Sequence, residues 1–491
     1  MKLCVVSYNA IPDAQNTKAE GTGLRYWRIA NALASTKIGK VSLAVRSFET
    51  KKTPEENAHG VTVVGFPDDP EEIRAFLKPF DVVIFSFAFG EFSKSIIDNA
   101  PKRTQLICDA YSPYYIEALT KSADKKKDQQ ILAQYRDSTV ACSQVLLDSD
   151  YALIANETQK SFYEGLIAGL GGAVEYDFER LIELPGYTEE THNPEDKVRG
   201  VQKKPLRMLW FGGMYPWFDA SNILDMLADD ELRKLVRLDV VGGWNPIYDK
   251  SDKRFNGQFV DFKRKSDKLG LTDEVVFFQD WVEYDDRLNI FRNTDLALSV
   301  NNPGPETKYS FRLRVADLAG NGVPILTNGG DPLSDMLIAS ERAIYFDFAS
   351  ASIPEFKRFI KNYELVERVS KNLRTTKSQR ELHIEGHIHT LARVIKSRKI
   401  YRHNKVVPTL IDRIIASDVN GRRLVTEMNA LQQEKDQLQD SLKIAMKDLD
   451  SYREHLREVQ QLYDETRAMY RRPLDLIKKI KKKLYKKERR R

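Results

Sequence analysis

Residues 306–331 read ETKYSFRLRVADLAGNGVPILTNGGD. Ser310 stands where a helix N-cap belongs, and Gly320 and Gly322 stand where a helix ends. Pro324 then opens an apolar run that Gly329 and Gly330 close, the mark of a short buried strand. A helix feeding a buried strand is the repeating half of a βαβ unit. Lys308, Arg312 and Arg314 crowd the start of that helix, where the dipole is positive and cations are disfavoured. A bound anion such as a diphosphate resolves the conflict. Glu306 and Asp317 flank the same stretch and suit sugar or ribose hydroxyls.

Working outward, the same alternation runs from the first residues to about position 350. Almost continuously apolar runs fall at 3–6, 41–45, 61–64, 82–85, 106–108 and 153–155, with a helical pattern over 24–34. The segment 187–205 is polar and holds Gly200, Pro194 and Pro205, as a linker does. The runs then restart at 208–211, 238–241, 275–278, 296–300, 325–327 and 344–346. Such runs are typical of parallel strands buried on both faces. The prediction is an α/β protein with two doubly wound, Rossmann-like domains, 1–195 and 205–378, facing a cleft. A ligand is expected at the carboxyl ends of the strands.

From about 351 the strand signal stops, and residues 354–400 read as helices. Residues 379–420 read as a helical connection and 421–470 as a coiled coil. One heptad register holds from Leu424 and Met428 to Thr466 and Tyr470, with Lys435 and Thr466 the exceptions in an otherwise apolar or aromatic seam. A homo-oligomer is expected, and a single long amphipathic helix folded on the body is the alternative. Residues 471–491 hold five Arg and seven Lys against Asp475 and Glu488, a net +10, which leaves −4 on the other 470 residues of the 491. Ile477, Ile480 and Leu484 recur at helical spacing after Pro473, so the tail reads as a basic amphipathic helix for an anionic membrane surface. No run of about 18 apolar residues is present, which argues against a membrane-spanning helix. Cys4, Cys108 and Cys142 are too few and too scattered for a disulfide framework. The expected location is therefore a reducing cytoplasm, at the inner face of the plasma membrane. Nothing in the body resembles a nucleic-acid module, so no nucleic-acid partner is expected.

Two glycine turns accompany the 306–331 segment. Glu20-Gly21-Thr22-Gly23-Leu24-Arg25 follows the first strand, and Trp210-Phe211-Gly212-Gly213 follows the first strand of the second domain. Facing each other across a cleft, they fit a diphosphate-bearing ligand, because glycine lets backbone N–H groups approach a phosphate. The aromatics at 215, 217 and 218 could stack on a sugar or a base. Asp109, after the strand 106–108, is a candidate to meet acceptor or sugar.

These motifs resemble glycosyltransferase family 4 and its GT-B relatives, in a branch of bacterial surface-polysaccharide transferases. The family pattern is a glutamate, seven residues, a second glutamate, a small-residue turn, Gly-x-Pro and a strand ending in Gly-Gly. Here Asp317 replaces the second glutamate, Tyr309 occupies the first position, and Glu306 lies three residues upstream. The resemblance covers roughly residues 1–400 and is tightest in the second domain. It implies a GT-B fold and transfer of a hexose from a nucleotide-diphosphate sugar to a glycan or lipid-linked glycan. A retaining reaction without cofactor or essential metal is implied as well. Carried onto this sequence, the catalytic candidates are Glu306, Arg312 and Asp109. The donor-binding candidates are Gly23, Gly212, Gly213, Lys308, Arg312, Arg314, Asp317 and Gly330. Two features depart from the family: the loop between Phe211 and Ala220 has no basic residue, and the stretch 85–91 has no histidine.

Other readings stay open. The departures fit an inactive GT-B scaffold that binds glycan or membrane, and an epimerase of the same fold is a further alternative. Asp148-Ser149-Asp150 matches a metal-binding pattern of another transferase fold, in a chain acidic enough to produce it by chance. His383, His387 and His389 have zinc-like spacing but read better as solvated helix histidines.

Overall fold

The computed structural model describes residues 1–12, 21–46, 54–111, 114–117, 129–171, 178–189, 205–244, 250–251, 253–401, 457–466, 479–480 and 482–483. Two compact units divide the chain at residues 413 and 414.

The first unit holds two sheets. One comprises β1 (Lys2–Ser7), β2 (Lys40–Val45), β3 (Glu55–Glu56), β4 (Thr62–Gly65), β5 (Val82–Ser86), β6 (Gln105–Asp109), β7 (Tyr151–Ile154) and β8 (Leu181–Glu183), in the order β3-β4-β2-β1-β5-β6-β7-β8. All its ladders are parallel except that of β3 on β4. The other comprises β9 (Leu206–Phe211), β10 (Val236–Val241), β11 (Val276–Gln279), β12 (Leu296–Ser299), β13 (Ile325–Thr327) and β14 (Ile344–Tyr345), all parallel, in the order β11-β10-β9-β12-β13-β14. Each apolar run of the sequence became one of these strands. The short β3 and β8 are additional, and both are too brief to leave a periodic signal. Each sheet reverses its strand order once, at β1 and β5 and at β9 and β12, and such switch points open crevices at the carboxyl ends.

Local chemistry sets the helix starts. Asp69, Asn156 and Asp331 cap helices by accepting backbone N–H bonds, Asn156 from Gln159 at 2.9 Å and Asp331 from Ser334 at 3.0 Å. The helix Ile388–Ser397, within the predicted helical connection, buries Ile388, Leu391 and Ile395 in the same core as Leu3, Val5 and Leu43. The chain thus returns from the second sheet to cover the first. Where it crosses, Ile384 N donates to Thr188 O at 2.8 Å, so both connecting segments pair side by side.

Two expectations are corrected. Ser310 does not cap the helix over 313–320; it ends the short helix Pro305–Tyr309, and its hydroxyl donates to Glu306 Oε1 at 2.5 Å. The cap position of the helix Leu313–Gly320 belongs to Arg312, with no side-chain cap bond. Of the three histidines, His389 is exposed on the helix Ile388–Ser397, but the other two are not solvated. His383 is buried between helices with Nε2 3.1 Å from Gly320 O, and His387 Nε2 lies 2.9 Å from Glu381 O. Asp150 is also structural, accepting from Leu106 N and Tyr401 N, each at 2.7 Å.

In the second unit, residues 457–466 form a helix on which Val459, Leu462 and Tyr463 are exposed. Lys483 Nζ lies 2.6 Å from Glu465. The remainder of the predicted coiled coil and basic tail lies outside the described residues. No described helix is long and apolar enough to cross a membrane.

Candidate functional site

A cavity of about 280 Å³ lies at the carboxyl ends of the strands, walled by both domains. Gly21, Leu24 and Tyr111 come from the first. Phe211 at the end of β9, Gly212 and Gly213 after it, Trp281 to Tyr284 after β11, and Glu306, Arg312, Arg314 and Asp317 come from the second.

Arg314 reaches the β9 loop, which has no basic residue of its own. Its Nη2 donates to the Gly213 carbonyl, and its guanidinium lies 4.3 Å from the Phe218 ring centroid and 5.2 Å from that of Trp210. Gly212 permits this turn with φ of +85°, a conformation costly for other residues. Arg314 Nη1 is shielded and donates to no described group, and no carboxylate among the described residues pairs with Arg314. Burial pushes its pKa down, partly offset by Tyr215, to about 10, so it is a cation at neutral pH. A cation in a low-dielectric wall without a counter-charge favours an incoming anion.

Arg312 differs. Its Nη1 and Nη2 both lie 2.8 Å from the Glu306 carboxylate, one to each oxygen. Both side chains are at most 5% exposed, and their charges neutralise one another. Lys308 is exposed and lies over the Tyr309 ring at 5.3 Å, away from the cavity wall. The crowding of three cations read from the sequence therefore separates into a surface lysine, a paired arginine and one arginine without a counter-ion.

Asp317 belongs to a buried ring of alternating charge. Arg28 reaches Asp317 at 2.9 Å and Glu189 at 2.5 Å, while Arg287 reaches Glu189 at 2.9 Å and Asp317 at 3.2 Å. Thr188 Oγ1 donates to Asp317 at 2.8 Å and the Tyr284 hydroxyl donates to Glu189. Burial alone would raise the Glu189 carboxyl, but Arg28, Arg287 and Tyr284 hold it down at about 2. Arg28 lies on the helix Gly21–Ser35 of the first domain, so the ring ties the two domains at the edge of the cavity. Stability contributed by Glu189 is complete above its unfolded-state pKa and is lost as pH falls toward about 2. Equilibrium unfolding of the parent and of Glu189→Gln should thus differ at pH 7 and converge as pH drops below about 4, the range in which an ordinary carboxylate protonates.

Asp109 ends β6 and is held by Arg25 Nε at 2.7 Å and Nη2 at 2.8 Å. It is 1% exposed. Arg25 in turn lies 4.4 Å from the ring centroid of Tyr111, and it is Tyr111 that faces the cavity. Gly23 packs on the first loop: a Cβ there would fall 1.8 Å from Ala10 O. Gly330, with φ of +89°, donates its N–H to Asp335 at 2.8 Å. Gly212, Gly213, Glu306, Arg312, Arg314 and Asp317 are brought together. Asp109, Gly23, Lys308 and Gly330 stand outside that wall.

The sequence reading missed Arg25, Arg28, Glu189 and Arg287. Arginines at 25 and 28 stand three apart on a helix, interleaved with the buried Tyr26 and Ile29, and a charge on an apolar face was the available signal.

Residues 226–393 match a family described as glycosyl transferase-like. No curated protein matches the chain in sequence. Solved structures similar to it include sucrose-phosphate synthase from Thermosynechococcus elongatus, with TM-score 0.59 and 12% identity over 81% of this chain and 100% of that one. HepE of Anabaena, in complex with UDP and glucose, gives 0.55 and 11% over 81% and 100%. WaaG, a glycosyltransferase involved in lipopolysaccharide biosynthesis, gives 0.54 and 16% over 80% and 99%. The paired sheets, the shared cleft and these similarities agree: the chain has the GT-B fold, and residues 226–393 of it match a glycosyl transferase-like family.

Proposed function

We propose that the protein transfers a sugar, expected to be a hexose, from a nucleoside-diphosphate carrier to a glycan or lipid-linked glycan in surface-polysaccharide synthesis. The observation that carries this reading is Arg314, a cation without a carboxylate partner that bonds the Gly213 carbonyl within the cavity wall. The start of the helix Leu313–Gly320, free of a side-chain cap, adds backbone N–H groups on the same side. In the reaction the bond from the sugar's anomeric carbon to the phosphate oxygen breaks. A new bond forms to an acceptor oxygen, whose proton passes to the departing diphosphate or to solvent. Negative charge grows on the departing diphosphate, and a pre-placed guanidinium stabilises it more in the transition state than in the ground state. Glu306 and Arg312, locked together, shape the wall beside it. HepE, a protein of the same fold solved with UDP and glucose, supports the choice of donor class. The test is a panel of nucleotide sugars incubated with the full chain, with sugar release and anomeric configuration read by NMR. Release from one donor, dependent on Arg314, supports the reading; a retained configuration matches the family expectation. No release or transfer from any donor leaves the scaffold reading in its place.

Two further parts of the reading concern the second unit. Val459 and Tyr463, at core positions of the heptad, are 53% and 60% exposed, which supports a partner helix and so a homo-oligomer. A monomer by light scattering at micromolar concentration contradicts this. The tail is proposed to hold the enzyme at the anionic inner face of the plasma membrane. Polybasic segments gain about 1 kcal/mol per Lys or Arg near such a surface. The full chain should sediment with anionic vesicles, removal of 471–491 should abolish this, and Ile477→Asp should weaken it. Binding unchanged by Ile477→Asp and abolished by salt means that the tail binds by charge alone.

A further inference from the structure

Glu306 and Asp317 were the carboxylates expected to hold donor hydroxyls, yet arginines occupy every oxygen they have. Glu306 Oε1 and Oε2 each accept from Arg312 at 2.8 Å, Asp317 Oδ1 accepts from Arg28 at 2.9 Å, and Asp317 Oδ2 accepts from Arg287 at 3.2 Å. The second-domain wall carries one more carboxylate, Glu283, and among the described residues no arginine or lysine pairs with it. Its Oε2 is shielded and accepts no hydrogen bond. A shielded carboxylate oxygen without a donor is costly, and a ligand hydroxyl placed there removes the cost.

Position narrows the ligand. Arg314, Gly212 and Gly213 form the anion-binding part of the wall. Glu283 belongs instead to the stretch after β11, beside Trp281 and Val282, which offers apolar surface suited to a nucleoside. Trp281 is fixed there, its Nε1 donating to Trp244 O at 2.8 Å and its ring under Gly242. Tyr284 is unavailable, because its hydroxyl donates to Glu189. Resting on the donor reading above, we infer that Glu283 binds the ribose hydroxyls of the nucleoside diphosphate. In this chain the hydroxyl-binding carboxylate is Glu283, and Asp317 instead holds the domains together.

The experiment titrates full-length protein with UDP, GDP and ADP, then with the 2′-deoxy and 3′-deoxy forms of whichever binds. A hydrogen bond to a charged group implies that the parent loses roughly tenfold to 100-fold on removal of a ribose hydroxyl. Glu283→Gln should bind the ribonucleotide more weakly and narrow the ribo-to-deoxy ratio to within about threefold, since removing both partners of one bond is not additive. Binding of inorganic diphosphate should not change, which shows that the variant is folded and its anion site intact. If Glu283→Gln keeps the parent's ribo-to-deoxy ratio, Glu283 does not touch the ribose. If the ratio persists while the preference among bases changes, Glu283 reads the base, and the ribose assignment is overturned. If the parent binds none of the three diphosphates, the donor reading falls and this inference with it.

Discussion

Arg314→Ala should weaken nucleoside-diphosphate binding by about 100-fold while leaving binding of the bare nucleoside within about threefold. A charge-assisted bond to phosphate is worth ~1.5–3 kcal/mol, and each 1.4 kcal/mol is tenfold. Arg314 has no carboxylate to abandon among the described residues, so the variant leaves no buried charge behind. Arg314→Lys should fall between the two, keeping the charge and losing the fork. Arg312→Ala provides the contrast. It strands Glu306, only 3% exposed, without a counter-charge, so its main effect should be on folding. Calorimetric titration of diphosphate and nucleoside, with a melting curve for each variant, separates the two roles. Equal loss of both ligands in Arg314→Ala contradicts the phosphate assignment.

The second large effect is on stability. Arg28→Ala removes one member of the ring formed with Glu189, Arg287 and Asp317, whose side chains are between 1% and 16% exposed. Breaking a buried pair from one side typically costs ~3–5 kcal/mol, because the remaining charge is buried and uncompensated. Lys94→Ala, in the exposed pair with Asp98 at 2.7 Å, should cost no more than about 0.5 kcal/mol. Denaturant unfolding of the three proteins checks both values. An Arg28→Ala variant as stable as Lys94→Ala shows that the ring is not holding the domains.

The central strands β5, β6, β7, β12 and β13 were legible because each is a short run buried along its whole length, so its residues had to be mostly apolar whatever the rest of the chain did. The run 325–327 and its strand coincide for that reason. The helix Ile388–Ser397 was also legible as a helix, but its periodicity could not say that its apolar face covers the first sheet. Ser310 misled because Ser, Thr and Asp accept local bonds in several settings, and a neighbouring Glu306 competed successfully for its hydroxyl. The site was half legible. Residues close in sequence, such as Glu306, Arg312 and Arg314, could be seen to cluster, but not which of them neutralise each other. Arg28 and Asp317 are 289 residues apart, and no local pattern announces such a pair.

The central claim is that the cavity between the two sheets binds a nucleoside diphosphate through Arg314. Its most direct test is titration of the full-length protein with one base series: nucleoside, monophosphate, diphosphate and diphosphate sugar. The account predicts saturable 1:1 binding of the diphosphate and its sugar, at least tenfold tighter than the nucleoside, with the advantage removed by Arg314→Ala. Nucleoside and diphosphate binding equally well, or a diphosphate advantage that survives Arg314→Ala, would contradict it.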